Sequence, residues 1–456
     1  MTARTELKHD ALGLAESVVM GVAGTAPAFS LAATTATLIA AVHTLAPASL
    51  IYCGLIMFGV TFAYLHLNRV NPNAGASYAW VGREFGPVLG FFAGWALLVA
   101  SAVFMVSGTI PAATATLMLL DPAAAARPAS VTFVAACWLL AVSAVIVKGI
   151  KLTSYTQIVM TAVEVGLLLV VTVAALVAGK GGVGHQISGQ WFSVAAFTPQ
   201  AFANGALTAL FFFWGWDVTV NLNEETRDGA RTAGMGALWA MAIVLLLFVG
   251  FVTAALATLT DAEIQASGTN VVFAVADRLF PRPWSYVAII AVMLSTIGTL
   301  ETSILQFTRT MYAKGRDGVL HRRYAMLHET WKTPWIATFL IAAIGVLLLV
   351  LAAGFPSVNQ IIRDSVNAIG FQVAFYYGLA GLACAWHYRR SALRSASNLV
   401  FLFLWPLASA LFMAFIALYS IPTFDLTTDL IGLGGIAVGV VPLLVNRRRR
   451  QPGTAA

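Results

Sequence analysis

Charge is what this chain has least of. Only 26 of its 456 residues are Lys or Arg and 19 are Asp or Glu, while 59% are hydrophobic. A soluble domain of that length could not solvate its own surface with so few charges, so a soluble globular fold is excluded. Cysteine is equally scarce. Cys53, Cys137 and Cys384 all fall inside hydrophobic runs, without metal-ligand spacing, and read as small buried hydrophobes. His66, His185, His321, His328 and His387 are scattered through loops and run ends, and no nucleophile motif accompanies them. No metal site, cofactor or catalytic constellation is expected. A cleavable leader is not expected either, because the first ten residues are polar and the run behind them is too long for a signal h-region.

What the chain has instead is long hydrophobic runs, each near the roughly 20 residues that cross a bilayer. Twelve are expected, at 14–41, 48–67, 88–119, 131–147, 155–178, 202–222, 233–259, 285–312, 335–353, 362–386, 399–419 and 426–445. The fold class is therefore all-α, integral membrane, with twelve transmembrane helices. Basic residues orient it. With both termini in the cytoplasm, only Arg127, Lys180, Arg278, Arg282 and Arg363 of the 26 fall on the outer side, the asymmetry that the positive-inside rule requires. The net charge of +7 is thus an orientation signal and does not point to nucleic acid. Residues 1–13 are expected to form a cytoplasmic tail. Residues 447–456 form a second, basic tail whose Arg447 to Arg450 run can meet anionic membrane lipid.

Two of the runs are interrupted. The first carries Gly21, Gly24, Thr25, Ala26 and Pro27, and the sixth carries Trp214, Gly215, Trp216 and Asp217 near its centre. Unwound backbone is tolerable at membrane depth only where it is buried in protein or lines a wet cavity. Five spans return the chain to the opposite face, so 14–178 (helices 1–5) and 200–386 (helices 6–10) form a 5+5 inverted repeat, with two C-terminal helices at 397–446 appended. Broken helices at matching places in inverted halves point to a substrate site between the repeats.

Four stretches resemble the amino acid–polyamine–organocation superfamily of permeases. They are Pro72 through Pro87 continuing to Gly94 and Trp95; Phe211 to Asp217 followed by Glu224 and Glu225; Arg309 to Leu320 with its Arg316-Asp317-Gly318 turn; and His328 with Lys332 to Trp335. The resemblance covers nearly the full length and implies the leucine-transporter-like fold. It also implies a secondary amino acid permease of the cell membrane, with a polyamine or organic-cation importer, or an exchanger, as the alternative. A channel would show repeated polar rings, and an enzyme a reactive cluster; neither is visible. The substrate-binding set is expected to be Met20, Gly21, Ala23, Gly24, Thr25, Ala26, Phe211, Trp214, Gly215 and Trp216. A substrate carboxylate would sit near the amides of Gly24 to Ala26, its amine near carbonyls around Met20, Gly21 and Phe211 to Trp214, and Phe211 would close over it. The first break departs from the family's usual Gly-x-Gly, because Pro27 has no N–H to offer, which leaves room for a substrate without a carboxylate.

Three acids lie inside the runs, where a charge costs about 2.5–3.5 kcal/mol and needs a partner or a proton. Glu164 falls where some relatives carry a proton-coupling lysine; the alternative is a hydrogen-bonded packing role. Asp217 is either a proton acceptor or a cap or hydrogen-bond anchor for the half-helix that restarts behind it. Glu301 either pairs within the bundle or lines a cation route. A proton is the expected coupling ion. Glu224, Glu225, Arg227, Arg316 and Asp317, with Arg231 nearby, are expected to form gating ion pairs at the cytoplasmic end. Asn367 and Gln372 are expected to face the cavity or to bond between helices.

Overall fold

The computed structural model describes residues 6–121, 123–178, 183–355 and 357–450. Arg4, Lys180 and 451–456, which enter the topology reading, lie outside the described residues. Among the described residues the regular secondary structure is all helical, and an isolated bridge between Leu12 and Thr226 is the one strand-like contact. Ten helical stretches are long and apolar enough to cross a membrane, so the chain is a multi-pass membrane protein.

The difference between ten stretches and the twelve expected runs is located at the interruptions. Helices α1 (Leu14–Gly24), α2 (Pro27–Val42) and α3 (Ala46–Val70) follow one another so closely that the first two expected runs merge into one stretch, Leu14–Val70. The sixth run is split into α9 (Pro199–Phe212) and α10 (Val218–Asn221), neither long enough alone. The third run, α5 (Pro87–Ser107) and α6 (Thr109–Leu120), continues through Gly108, which keeps a helical conformation. The other expected runs are found as α7 (Pro128–Val147), α8 (Ile150–Ala178), α11 (Gly229–Thr258), α14 (Val287–Arg316), α15 (Trp335–Ala352), α16 (Val358–Tyr388), Ala396–Ser420 and Leu426–Val445.

Three short helices were not foreseen. α4 (Ser77–Phe85) precedes α5, and α12 (Asp261–Ser267) and α13 (Val271–Leu279) fill the connection from α11 to α14. α12 starts on a capping box, with Thr260 and Glu263 satisfying each other's backbone N–H groups.

Burial sorts the helices into centre and rim. In the most apolar window of Leu14–Val70, 72% of residues are buried in protein, against 17% for Leu426–Val445. α1 packs on α8, α10, α11 and α14, so the first break lies at the centre of the bundle. α7, α15 and the last helix leave most of their windows uncovered, as helices in contact with lipid do. In lipid, apolar exposure carries no penalty, so packing between helices depends on close approach of small residues.

Candidate functional site

Both breaks have a complete local account. In the first, the non-helical residues are Thr25 and Ala26; Ala23 and Gly24 complete α1, and Pro27 already begins α2. The Thr25 amide and hydroxyl both donate to Val22 O (3.1 and 2.8 Å), and the Ala26 amide donates to Ala23 O (3.1 Å). Ala26 is held left-handed at φ 47°, a conformation that costs an L-residue about 1–2 kcal/mol. Pro27 as the first helical residue forfeits nothing, since that N–H would be unpaired anyway. In the second break, Phe213 to Asp217 are non-helical, taking in the expected Trp214 to Asp217, and Gly215 has φ +108°, a region that favours glycine.

The two breaks meet back to back. A Cβ built on Gly24 would run into the Gly215 carbonyl, and one on Gly215 into the Gly24 carbonyl. No space is left between them, so the substrate site expected between the repeats does not lie at this contact. Met20 and Gly21 are buried, with Gly21 against Ala240 and Thr219. The amides expected to cradle a carboxylate are not free either: those of Thr25 and Ala26 turn back onto α1, and a resident carboxyl takes the next donor. Ala28 N donates to Glu164 Oε1 (3.0 Å), and Phe29 N donates to Ser295 Oγ (3.1 Å). Glu164 thus does have a hydrogen-bonded partner, at the positive end of a half-helix dipole.

Asp217 makes no cap for the restarting half-helix. Its carboxylate instead accepts from Tyr377 Oη (2.8 Å) and Tyr376 Oη (3.1 Å), and Trp214 Nε1 donates to Tyr376 Oη (2.8 Å). Glu301 sits at the α8–α14 interface. It accepts from Thr156 Oγ1 (3.4 Å) and from Gln157 Nε2 (2.6 Å), with the Gln157 amide oriented to suit both its neighbours. The structure therefore brings Glu164 to the first break and Asp217 to the second, and leaves Glu301 paired between two helices.

Aromatic rings cover the breaks on one side. Phe29 packs edge-to-face on Phe104 and Phe211 (6.4 Å each), and Phe104 on Trp214 (5.3 Å). Trp216, expected beside them, turns the other way, toward Tyr64 (5.2 Å) and Tyr377 (5.3 Å). Beside α2 lie two cavities of about 320 and 330 Å³, one flanked by α2 and α16, the other by α2 and α14 with Phe29 in its lining, and Thr269 and Ile362 are common to both. Asn367 lines the first, whereas Gln372 bonds across to Gly432 O (2.5 Å).

The opposite end is sealed. Arg309 makes a two-pronged pair with Glu225 (2.8 Å twice) in which both side chains are almost fully buried. Arg316 pairs likewise with Glu224 (2.8 and 3.0 Å), and Glu224 also accepts from Ala74 N (2.9 Å). Asn223 bonds Asn68 (2.6 Å), Tyr78 donates to Asp317 (3.0 Å), and Lys314 donates to Phe91 O (2.9 Å). Arg227 and Arg231 are corrections: both are exposed, the Arg227 amide bonds Leu12 O (2.8 Å), and Glu225 takes Arg309 as its partner. The signal for Arg309 was present, since a guanidinium inside a hydrophobic run must find a buried acid. Tyr376, Tyr377, Ser295 and Phe104 had no such signal, because hydroxyls and rings are ordinary in membrane helices. The described part of the tail is tied down: Ala11 N and Leu12 N donate to Glu225 O (2.8 and 3.1 Å), and Leu7 is buried with Ala74 and Tyr312.

The amino acid permease family model matches residues 11–441. The methylthioribose transporter of Bacillus subtilis is 24% identical over 65% of this chain and 66% of its own length. The low-affinity putrescine importer of Escherichia coli K12 is 24% identical over 89% of this chain and 87% of its own. The b(0,+)-type amino acid transporter 1 of Mus musculus is 24% identical over 72% of this chain. The chain thus spans about two thirds of the length of the methylthioribose and mouse transporters, at 66% and 65%.

Proposed function

The chain belongs to the amino acid permease family, and from that premise we propose that it is a secondary transporter, taking up an amino acid or related amine across the cell membrane by proton-coupled alternating access. One observation carries the reading: two unwound segments meet at Gly24 and Gly215, with a buried ion pair on one side of them and cavities opening on the other. A carrier must offer its central site to one side at a time, and this asymmetry suits a state closed toward the cytoplasm.

In this reading each broken pair, α1 with α2 and α9 with α10, counts as one span, giving twelve. Residues 14–178 and 200–386 are the inverted repeats, 397–446 the appended pair, and both tails are cytoplasmic. Substrate arrives through the outer cavities and meets Phe211 and Trp214. Glu164, bonded to the first residues of α2, is the preferred proton-linked group, with Asp217 and Glu301 as the other candidates. Import of a polyamine is the second reading, favoured by the 89% coverage of this chain by the putrescine importer.

Proteoliposome counterflow tests both. Saturable exchange without ohmic current is expected. Glu164→Gln should keep exchange and lose accumulation driven by an inward proton gradient. Gradient-driven uptake unchanged in that variant would move the coupling role away from Glu164, and current without counterflow would overturn the carrier reading.

A further inference from the structure

We infer that the substrate of this carrier has no carboxylate: it is an organic amine, recognised at the breaks by aromatic faces, because Glu164 occupies the place where a substrate carboxylate would bind. The inference deepens the transport reading and rests on it.

The N-terminus of a helix is a ready anion site, since its first amides point outward and the dipole favours negative charge. In α2, each such group is accounted for. Pro27 has none, Ala28 N donates to Glu164 at 3.0 Å, Phe29 N donates to Ser295 at 3.1 Å, and Ser30 N closes onto Ala26 O at 2.7 Å. Just upstream, the amides of Thr25 and Ala26 return to α1. Glu164 reaches this position from α8, and only 1% of its surface is exposed. An incoming carboxylate would have to displace it and leave a buried carboxyl without its Ala28 donor, a penalty no amine incurs.

A second observation points to a cation independently. The rings of Phe29, Phe104, Phe211 and Trp214 stand together at the breaks, with centroids 5.3–6.4 Å apart. Aromatic faces attract ammonium groups and repel anions. Behind this wall the Trp214 indole leads through Tyr376 to the Asp217 carboxylate. The carboxyl group joined to the aromatic cluster is therefore the protein's own. An amino acid would bring a third carboxyl group into a place that already holds Glu164 at the first break and Asp217 at the second.

The test compares pairs that differ only by a carboxyl group: putrescine with ornithine, agmatine with arginine, phenethylamine with phenylalanine. Each competes for counterflow in proteoliposomes of the full chain. The amine of at least one pair should be exchanged, and should compete at least about tenfold better than its amino acid, the discrimination expected from about one lost hydrogen bond. Glu164→Ala frees the Ala28 amide and should narrow that ratio about tenfold. Glu164→Gln keeps an acceptor there and should preserve the ratio; should the alanine variant not fold, wild type and the glutamine variant decide. An amino acid that competes as well as its amine in wild type overturns the inference and leaves the carrier reading intact, as does an unchanged ratio in folded Glu164→Ala. Failure of every compound to exchange overturns the carrier reading for amines and amino acids alike.

Discussion

Neutralising Glu225 should open the sealed end of the bundle. In wild type Arg309 and Glu225 form two 2.8 Å bonds with both side chains withdrawn from solvent. Glu225→Gln leaves the guanidinium buried without a compensating charge, its side-chain partners then being the neutral amide oxygen of the glutamine and the Thr308 hydroxyl at 3.1 Å. Removing one member of such a pair costs about 3–5 kcal/mol, and only in the closed arrangement, because an opened end lets water reach Arg309. At about 1.4 kcal/mol per tenfold, the closed-to-open ratio should fall by about two to three powers of ten. The reporter is Ser17→Cys in α1, with Cys53, Cys137 and Cys384 replaced; Ser17 is buried and its hydroxyl makes no hydrogen bond. Labelling by a membrane-impermeant thiol reagent in inside-out vesicles should quicken strongly in Glu225→Gln and in Arg309→Gln. The double variant should restore much of the protection, since two neutral amides can pair without a stranded charge. Equal labelling in wild type and both single variants would refute the reasoning and make the pair a static element of the fold.

Two further outcomes follow from local geometry. Gly215→Ala combines a left-handed backbone with a Cβ aimed at the Gly24 carbonyl, and should cost about 2–5 kcal/mol; a thermal midpoint equal to wild type in detergent would show that the breaks do not touch. Asp425 caps the last helix by accepting the Thr428 amide (2.8 Å), which holds its carboxyl below the usual aspartate range. Because its folded value is depressed, its contribution is complete above the unfolded value of about 3.9 and fades as pH falls through the folded value. Asp425→Ala should therefore lower the thermal midpoint at pH 7 and lose that deficit in acid; a pH-independent deficit would assign the effect to packing.

Much of the architecture was legible because it depends on composition and on backbone chemistry alone. Long apolar runs become spanning helices wherever no charge interrupts them, and a Gly/Pro cluster must unwind one wherever it falls. The breaks at Thr25–Ala26 and 213–217, and the intramembrane acids that demanded partners, were accordingly read correctly as features. Helices α4, α12 and α13 were missed because, at 9, 7 and 9 residues, they fall far below the length that marks a spanning run.

Which partners those features take was decided only in three dimensions. Glu164 finds the α2 N-terminus 136 residues away in sequence, Glu225 finds Arg309 and not the adjacent Arg227, and Trp216 turns from Phe211 toward Tyr64. A run of residues states that a buried carboxyl must be satisfied, since desolvation acts on the group itself. It cannot state by what, since hydrogen bonds and ion pairs act over about 3 Å, and only helix packing sets which groups come that close. Sequence thus determined that this chain spans a membrane with two broken helices at its centre; tertiary packing decided that the protein's own carboxyl fills the anion site at the first of them.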